Sequence, residues 1–586
     1  MLNADLRITV FFSRRMILDA MSCRDRNHKL VGILIGAFLF AAPAAFVLWQ
    51  NTHLTVLWDL SYILENATRI SLGQRPYRDF PFPYAPLTFL MQATIIKLFG
   101  RAVFHHYLYA AFTAGLGSLL TWRILRRVMP DSQARLIAFL LSVPLVFLGT
   151  SSIFPHPFYD SDCTLFMLFC AWWLLRLESS DFPAFRTFLC GALLVIPLFI
   201  KQNTGLAFLL SAAVCVILLG LRNRRAAALL LSGTAAGVAF AGILVQHTVG
   251  VANYFHWTIA FAASRRLPGL TTMLGVYRDP ALIWPGVAFA LGIALFVIPQ
   301  LARKVALRWL GATLLSVPFL VAVAELHFQD NASDRVEALL RLWPVLLIAS
   351  LVLSLWQLRR GVNVARLLPL ILLGSIHGAF LSQQLWGSTY ALWPLLMILI
   401  GAILAALVQE KDADRSGMAV PLTAFATVAC VALLVAGGYY ALSHERLDYA
   451  DLSGDTLVRS SLPALRGLRM RGHWLPDFEE LVVYSEREIP WADAILEIPG
   501  EDLFYFTTGR TPQFPVILMD NTVNPYNAAE IAALARQRNV RWLIVKRELQ
   551  LQEQPLAFRP QLLELLSRDF SLAESLDNYE IYRRKE

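Results

Sequence analysis

Charge is what this 586-residue chain has least of: Asp, Glu, Lys and Arg together supply 16% of it, whereas 57% is hydrophobic, and mean hydropathy is +0.54. A soluble domain carries about 25% charged and about 45–50% apolar residues. An ordinary soluble enzyme, a disordered chain and a collagen-like chain are therefore excluded. Cysteine is scarce too. The six, at positions 23, 163, 170, 190, 215 and 430, show no CxxC spacing, and five lie in or beside apolar runs. Neither a disulfide framework nor a zinc site is supported, and buried apolar thiols are expected. Sequence repeats and low-complexity tracts are missing. The net charge of +9 and pI of 9.3 come from short Arg/Lys clusters between apolar runs. There they act as topology signals rather than as a nucleic-acid-binding face, and no nucleic-acid partner is expected.

Long apolar runs are what the chain has most of. They lie near 30–50, 103–125, 135–153, 163–178, 187–200, 204–221, 226–248, 281–300, 309–325, 338–356, 367–382, 390–408 and 418–441, which predicts about 13 transmembrane helices at roughly 20 residues each. The first run has no small-residue cleavage site behind it, so it reads as an uncleaved span preceded by a basic, unstructured segment at 1–28, within which Met21 would also serve as a start. Basic clusters (Arg123/Arg126/Arg127, Arg222/Arg224/Arg225, Arg303/Lys304/Arg308, Arg359/Arg360/Arg366) fall on the side of the N-terminus, and the opposite connections at 154–161, 201–203 and 383–389 hold one Lys between them. This alternation places the N-terminus in the cytoplasm and residues 443–586 outside it.

The expected fold is thus an α-helical polytopic membrane protein with a small C-terminal periplasmic α/β domain, in a bacterial inner membrane. Its parts are a cytoplasmic segment 1–28, a transmembrane region 29–442 with an outer loop 51–102, and the outer domain 443–586. In that domain Leu503–Phe506, Trp542–Val545 and Tyr579–Arg583 read as strands, Ala528–Arg538 as an amphipathic helix, and Gly509–Pro512 as a turn. Within 51–102, Trp58–Ile70 and Leu87–Phe99 read as helices lying at the outer interface.

The unusual polar residues collect on the outer side. Moving a sugar from a lipid phosphate to a hydroxyl there needs a carboxylate to take the acceptor proton and cations to hold the leaving phosphate. The phosphate departs as an anion, so no protein acid is needed. Asp59 is the candidate base; its competing reading is a helix N-cap, but acids at a membrane edge are expensive and tend to be functional. Lys201 at the tip of a tight outer connection is the candidate phosphate contact, against a snorkelling lysine. Arg75, Arg78, Arg265 and Arg266 are candidates for the same task. Asp160 and Asp162 form an Asp-x-Asp, a spacing that suits a divalent cation (Mg2+ or Mn2+) as well as helix capping. His156 is a candidate donor contact, and Asp79 sits in a turn-like context where a turn residue is the default. The Asn66-Ala-Thr68 and Asn331-Ala-Ser333 sequons have meaning only in a eukaryotic lumen and are set aside.

The order of these features resembles the GT-C superfamily of integral-membrane glycosyltransferases, in particular the protein mannosyltransferase and lipid A aminoarabinose transferase branch. The matching residues are the acid after the first span (Asp59), Gly73-Gln-Arg75-Pro-Tyr77-Arg78-Asp79, Tyr84-Ala-Pro86-Leu87, and Asp162 at the outer start of the fourth span. Lys201 after the fifth span, Tyr390-Ala-Leu-Trp-Pro394, and the Phe-x-x-Gly-Arg-x-Pro turn at 506–512 complete them. One departure is Leu60, which stands where the branch often has a second acid; this weakens the case for a metal at that loop. The resemblance implies an inverting transfer from a polyprenyl-phosphate-linked sugar to a glycan, lipid or protein acceptor; with the residue-level candidates, Asp59 and Asp162 are the expected catalytic acids, and Tyr84, His156, Asp160, Lys201, Arg75, Arg78 and Arg265 are expected around the substrate. Two rival classes remain open: a transporter or flippase for lipid-linked material, and a non-catalytic envelope assembly protein.

Overall fold

The computed structural model describes residues 29–52, 57–129, 134–151, 154–266, 270–328, 342–381, 391–408, 415–441, 457–470, 472–549 and 558–586. The expected segment 1–28, the sequon at 331–333 and Tyr390 lie outside these residues. In chain order the first half runs α1 (Lys29–Asn51), α2 (Leu57–Ser71), α3 (Leu87–Phe99), α4 (Val103–Val128), α5 (Arg135–Val146), α6 (Tyr159–Glu178), α7 (Ala184–Leu193), α8 (Gln202–Leu219) and α9 (Arg224–Thr248). Among the described residues, the apolar runs expected to span fall mainly on helical segments.

Among the described residues, seven helices are long and apolar enough to cross a bilayer: α1, α4, α8, α9, Pro280–Val297, Val305–Leu326 and Ala419–Tyr439. The others are shorter, or, in α6, carry acids and Arg176 at their ends. Proline explains two of the short ones, because the α5 run and the run after α7 each close in a tight 3-10 turn with Pro144 or Pro197 at its start. Helix Trp393–Val408 is buried on all sides, with Leu395–Ile400 in the core, as its all-round apolar sequence demands. Phe240, Leu210 and Ile217 stay exposed on α9 and α8 and form a lipid-facing surface. The five described cysteines are buried free thiols.

Beyond the last long helix the chain becomes α/β. A two-stranded ribbon pairs β1 (Val458–Arg459) with β2 (Arg469–Met470), and a second sheet has the order β3 (Ala494–Ile498), β4 (Val540–Lys546), β6 (Tyr579–Arg584), β5 (Phe570–Ser575). β3 and β4 are parallel and joined through helix Ala528–Gln537, which opens with a reciprocal Asn527/Glu530 capping box. The last two pairings are antiparallel.

Two expectations are corrected here. Leu503–Phe506 is not a strand: Phe504–Thr508 is a helical turn closed by left-handed Gly509, and the strand lies upstream at Ala494–Ile498. An apolar run this short is compatible with either conformation, and Phe506 spends its N–H on Glu65 of α2 rather than on a ladder. The second correction concerns α2, read as a helix lying on a membrane surface. Eleven of its 15 residues are buried. Leu57, Leu60 and Leu64 share one core with Tyr107 of α4 and with Leu475, Phe478 and Phe504 of the C-terminal region. Ile63 on its other side joins Phe80, Phe82 and Phe89.

Candidate functional site

Lys201 is placed by a tight reversal of the chain. The turn Ile196–Phe199 folds back onto α8, and Lys201 is the extended residue that precedes that helix. Gly205, one turn in, permits this: a Cβ there would collide with the Pro197 carbonyl. Replacing Gly205 by Val should therefore displace Lys201 and lower both the melting temperature and any donor binding in a purified preparation. A variant indistinguishable from wild type in both would refute this account of the turn.

The ammonium of Lys201 forms an ion pair with Asp160 Oδ1, both side chains about nine-tenths buried. It also lies 5.8 Å from the centre of the Tyr159 ring. From Tyr159 a row of rings leads away: Tyr159–Tyr84 at 5.1 Å and Tyr84–Tyr62 at 5.1 Å. Tyr62 sits on α2 three residues after Asp59, and residues three apart are neighbours on a helix face. Trp58 packs with the same Tyr62 and Tyr84 and with Leu518 and Val523 of the C-terminal region. Asp59 itself is half-buried in the first turn of α2. A continuous wall of tyrosines thus connects a buried cation to a helix end that carries a carboxylate.

Asp162 is oriented otherwise. Its Oδ2 accepts from Thr88 Oγ1 of α3 at 2.7 Å and its Oδ1 from Tyr109 OH of α4 at 2.8 Å. Neither Asp160 nor Asp162 is the N-cap of α6, which is Phe158, although both acids lie in the first turn, where the helix dipole favours them. Two residues apart on a helix, they point in nearly opposite directions, one to Lys201 and the other to Thr88 and Tyr109. As arranged, the pair does not fit a shared divalent cation, and among the described residues no three His, Cys, Asp or Glu side chains gather as a metal site.

The remaining candidates are placed as follows. Tyr84 is in the wall, and its carbonyl accepts from Tyr77 OH at 2.6 Å. His156 is buried, with Nδ1 3.0 Å from the Pro157 carbonyl and its ring against Phe154 and Phe158. Arg75 and Arg78 are exposed on a turn that Asp79 closes by accepting the Arg75 N–H at 2.7 Å; Asp79 is thus the turn residue its context predicts. Arg265 is exposed and stacks over Phe261 at 5.6 Å, just after a π-helical turn at His256–Phe261. The structure therefore groups Tyr84, Asp160 and Lys201, with Asp59 one helical turn before Tyr62 at the end of the row, turns Asp162 to Thr88 and Tyr109, and leaves Arg75, Arg78 and Arg265 exposed and outside the row.

No family model and no curated protein matches this chain. Solved structures do. The chain is similar to ArnT from Cupriavidus metallidurans bound to undecaprenyl phosphate (TM-score 0.44, 12% identity, covering 95% of this chain and 98% of that one). It is similar to the oligosaccharyltransferase AglB from Archaeoglobus fulgidus in complex with an inhibitory peptide and a dolichol-phosphate (0.43, 14%, 87% and 69%). A third likeness is to the arabinofuranosyltransferase AftD from Mycobacteria (0.39, 14%, 94% and 40%). At these identities the likeness is one of architecture, and the chemistry of the site rests on this chain's own side chains.

Several of those side chains were invisible to sequence reasoning. Tyr109 sits in an apolar run, where a Tyr reads as interfacial belt, and Thr88 is marked only as the end of the outer-loop stretch Tyr84–Thr88. Gln202 ties the first loop to the π-helical turn by donating to the carbonyls of Pro83 at 3.0 Å and Thr258 at 3.3 Å, yet its sequence neighbours mark only a helix start. Tyr159 was adjacent to a singled-out acid, and that adjacency was the available signal.

Proposed function

We propose that this protein transfers a sugar from a polyprenyl-phosphate-linked donor to an acceptor hydroxyl at the outer face of a bacterial inner membrane. In this reading residues 29–442 form the transmembrane part, residues 443–586 an outer domain, and the N-terminus is cytoplasmic. The observation that carries it is the buried Lys201–Asp160 pair joined through Tyr159, Tyr84 and Tyr62 to the helix turn holding Asp59.

Each part has a chemical task. Lys201 offers a positive charge to the donor phosphate in a site of low water content, where a fixed charge acts strongly on the leaving group. Asp160 keeps the ammonium in place before the donor arrives. The tyrosine wall presents ring faces and hydroxyls to the sugar. Asp59 takes the proton from the acceptor hydroxyl as the new glycosidic bond forms to the anomeric carbon and the bond to the phosphate oxygen breaks. The lipid phosphate leaves with the electron pair. A single displacement at the anomeric carbon, with no covalent intermediate on the protein, makes inversion the expected outcome. Asp162 braces α3, α4 and α6 behind the wall.

The direct test incubates the purified protein in nanodiscs with radiolabelled polyprenyl-phosphate sugars and envelope extract. Label should pass into a water-soluble or lipid-extractable glycoconjugate with one equivalent of free polyprenyl phosphate released. Label that stays on its carrier across a panel of donors, or that only crosses the bilayer of a sealed proteoliposome, would reject the proposal.

A further inference from the structure

The Phe-x-x-Gly-Arg-x-Pro turn at 506–512 has no part in the site just described; its contacts outside its own domain are with the first loop and α4. Phe506 N–H donates to Glu65 Oε1 on α2 at 2.9 Å, and the Phe506 carbonyl accepts from Arg101 Nη1 at 3.1 Å. Gly509 is left-handed and lies against the Arg101 guanidinium, where a Cβ would collide. Two further carbonyls of the same stretch, Pro512 and Pro515, accept from Gln74 Nε2 at 2.8 Å and Arg69 Nη1 at 2.9 Å. Arg510 turns the other way and holds the Ser485, Ile489 and Pro490 carbonyls at the end of helix Trp474–Glu488. One arginine thus fixes the turn to its own domain, while four first-loop side chains fix it to α2 and its surroundings.

Glu65 differs from the other three. It is an acid with no exposed surface; Oε1 accepts the Phe506 N–H, the Tyr505 N–H also faces the carboxylate, and Oε2 has no hydrogen bond of good geometry. The groups facing it are Arg69 on its own helix, Tyr505, Glu497 and Asp502 from the C-terminal domain, and Arg101 at the start of α4. His106 of α4 packs on the Phe506 ring. An ionised carboxylate with an unsatisfied oxygen, enclosed beside two more acids, is costly; the neutral carboxyl is the form that fits. Burial, more than the neighbouring Asp502, pushes its pKa up to about 8 from 4.5, against the pull of the Phe506 and Tyr505 N–H groups and of Arg69.

We propose that Glu65 is a positioning residue: its neutral carboxyl clamps the Phe506–Pro512 turn onto α2 and so sets how Asp59, six residues earlier on that helix, meets the tyrosine wall. The consequence for function rests on the role given to Asp59 above; the clamp itself does not. Because the docked state holds the proton more tightly than the released one, docking is favoured in acid. It weakens as pH rises from about 4.5 toward 8 and levels off above.

Hydrogen exchange read on peptides covering 57–71 and 503–512, corrected for intrinsic rates, tests the clamp in the full-length protein in nanodiscs. In wild type, protection of both segments should fall by at least about tenfold between pH 6 and pH 8 and flatten beyond. Glu65→Gln, which mimics the neutral acid, should stay flat at the acidic wild-type level, and Glu65→Ala should be poorly protected throughout. Wild-type protection that does not change with pH overturns the proposal, as does a Gln variant no better protected at pH 6 than wild type at pH 8; neither result depends on Glu65→Ala folding well. A preparation that transfers no sugar leaves the exchange data fully informative. Conversely, transfer that depends on Asp59, with exchange indifferent to Glu65, would keep the reaction and discard the clamp.

Discussion

Changing Asp59 to Asn should lower the turnover of sugar transfer by about 10²–10⁴-fold, the usual contribution of a positioned general base, while donor affinity moves by less than about threefold. The substitution preserves shape and removes the ability to accept a proton. Asp59 is half-buried at the start of a helix that is locked between two cores, so the change has little room to act through unfolding. Asp162→Asn provides the contrast. Two hydroxyls, from Thr88 and Tyr109, donate to that carboxylate, and an amide can accept from only one of them through its oxygen. Losing a charge-assisted hydrogen bond of this kind costs about 1.5–3 kcal/mol, so the Asp162 variant should melt earlier than the Asp59 variant yet retain more of its turnover. Single-turnover assays and thermal scans on the two purified variants separate the cases. If Asp162→Asn is the slower enzyme and the more stable protein, the roles of the two acids are exchanged.

That contrast also shows where the sequence could be read and where it could not. An Asp-x-Asp looks like a chelating pair when the chain around it is taken as extended, because residues two apart then share a face. At 160–162 the chain is already helical, and the same spacing sends the two carboxylates to opposite neighbours. The apolar runs were legible because each helix must be buried in protein or face lipid, and a run of roughly 20 residues leaves few alternatives. Short segments carry no such constraint. Ala494–Ile498 and Leu503–Phe506 are both brief apolar stretches, and only their neighbours make one a strand and the other a helical turn. Phe570–Ser575 was hidden for the opposite reason, being exposed along all but its first residue. Glu65 was illegible for a third reason. In Leu-Glu-Asn-Ala-Thr-Arg it reads as part of a solvated face, and its burial depends on Phe506, 441 positions away.

The second large effect belongs to the buried ion pair. Lys201→Met should destabilise the protein by about 3–5 kcal/mol, the cost of leaving one charge of a buried pair without its partner. Asp160→Asn should do less, since a lysine stem can move its ammonium toward the headgroup region. The double variant Lys201→Met/Asp160→Asn should regain most of the stability lost in Lys201→Met, because no unpaired charge remains and the two side chains fill nearly the same volume. Catalysis should not follow stability. With the cation gone, both Lys201→Met and the double variant should bind polyprenyl phosphate at least about tenfold more weakly, a difference of about 1.4 kcal/mol, and turn over slowly. Asp160→Asn, which keeps the cation, should remain the most active of the three. Stability measured by thermal scans and affinity measured by titration with polyprenyl phosphate must therefore diverge in the double variant. If recovered stability brings recovered binding, the pair is only a strut between α6 and α8, and the phosphate is held elsewhere, with the exposed Arg265 the next residue to replace.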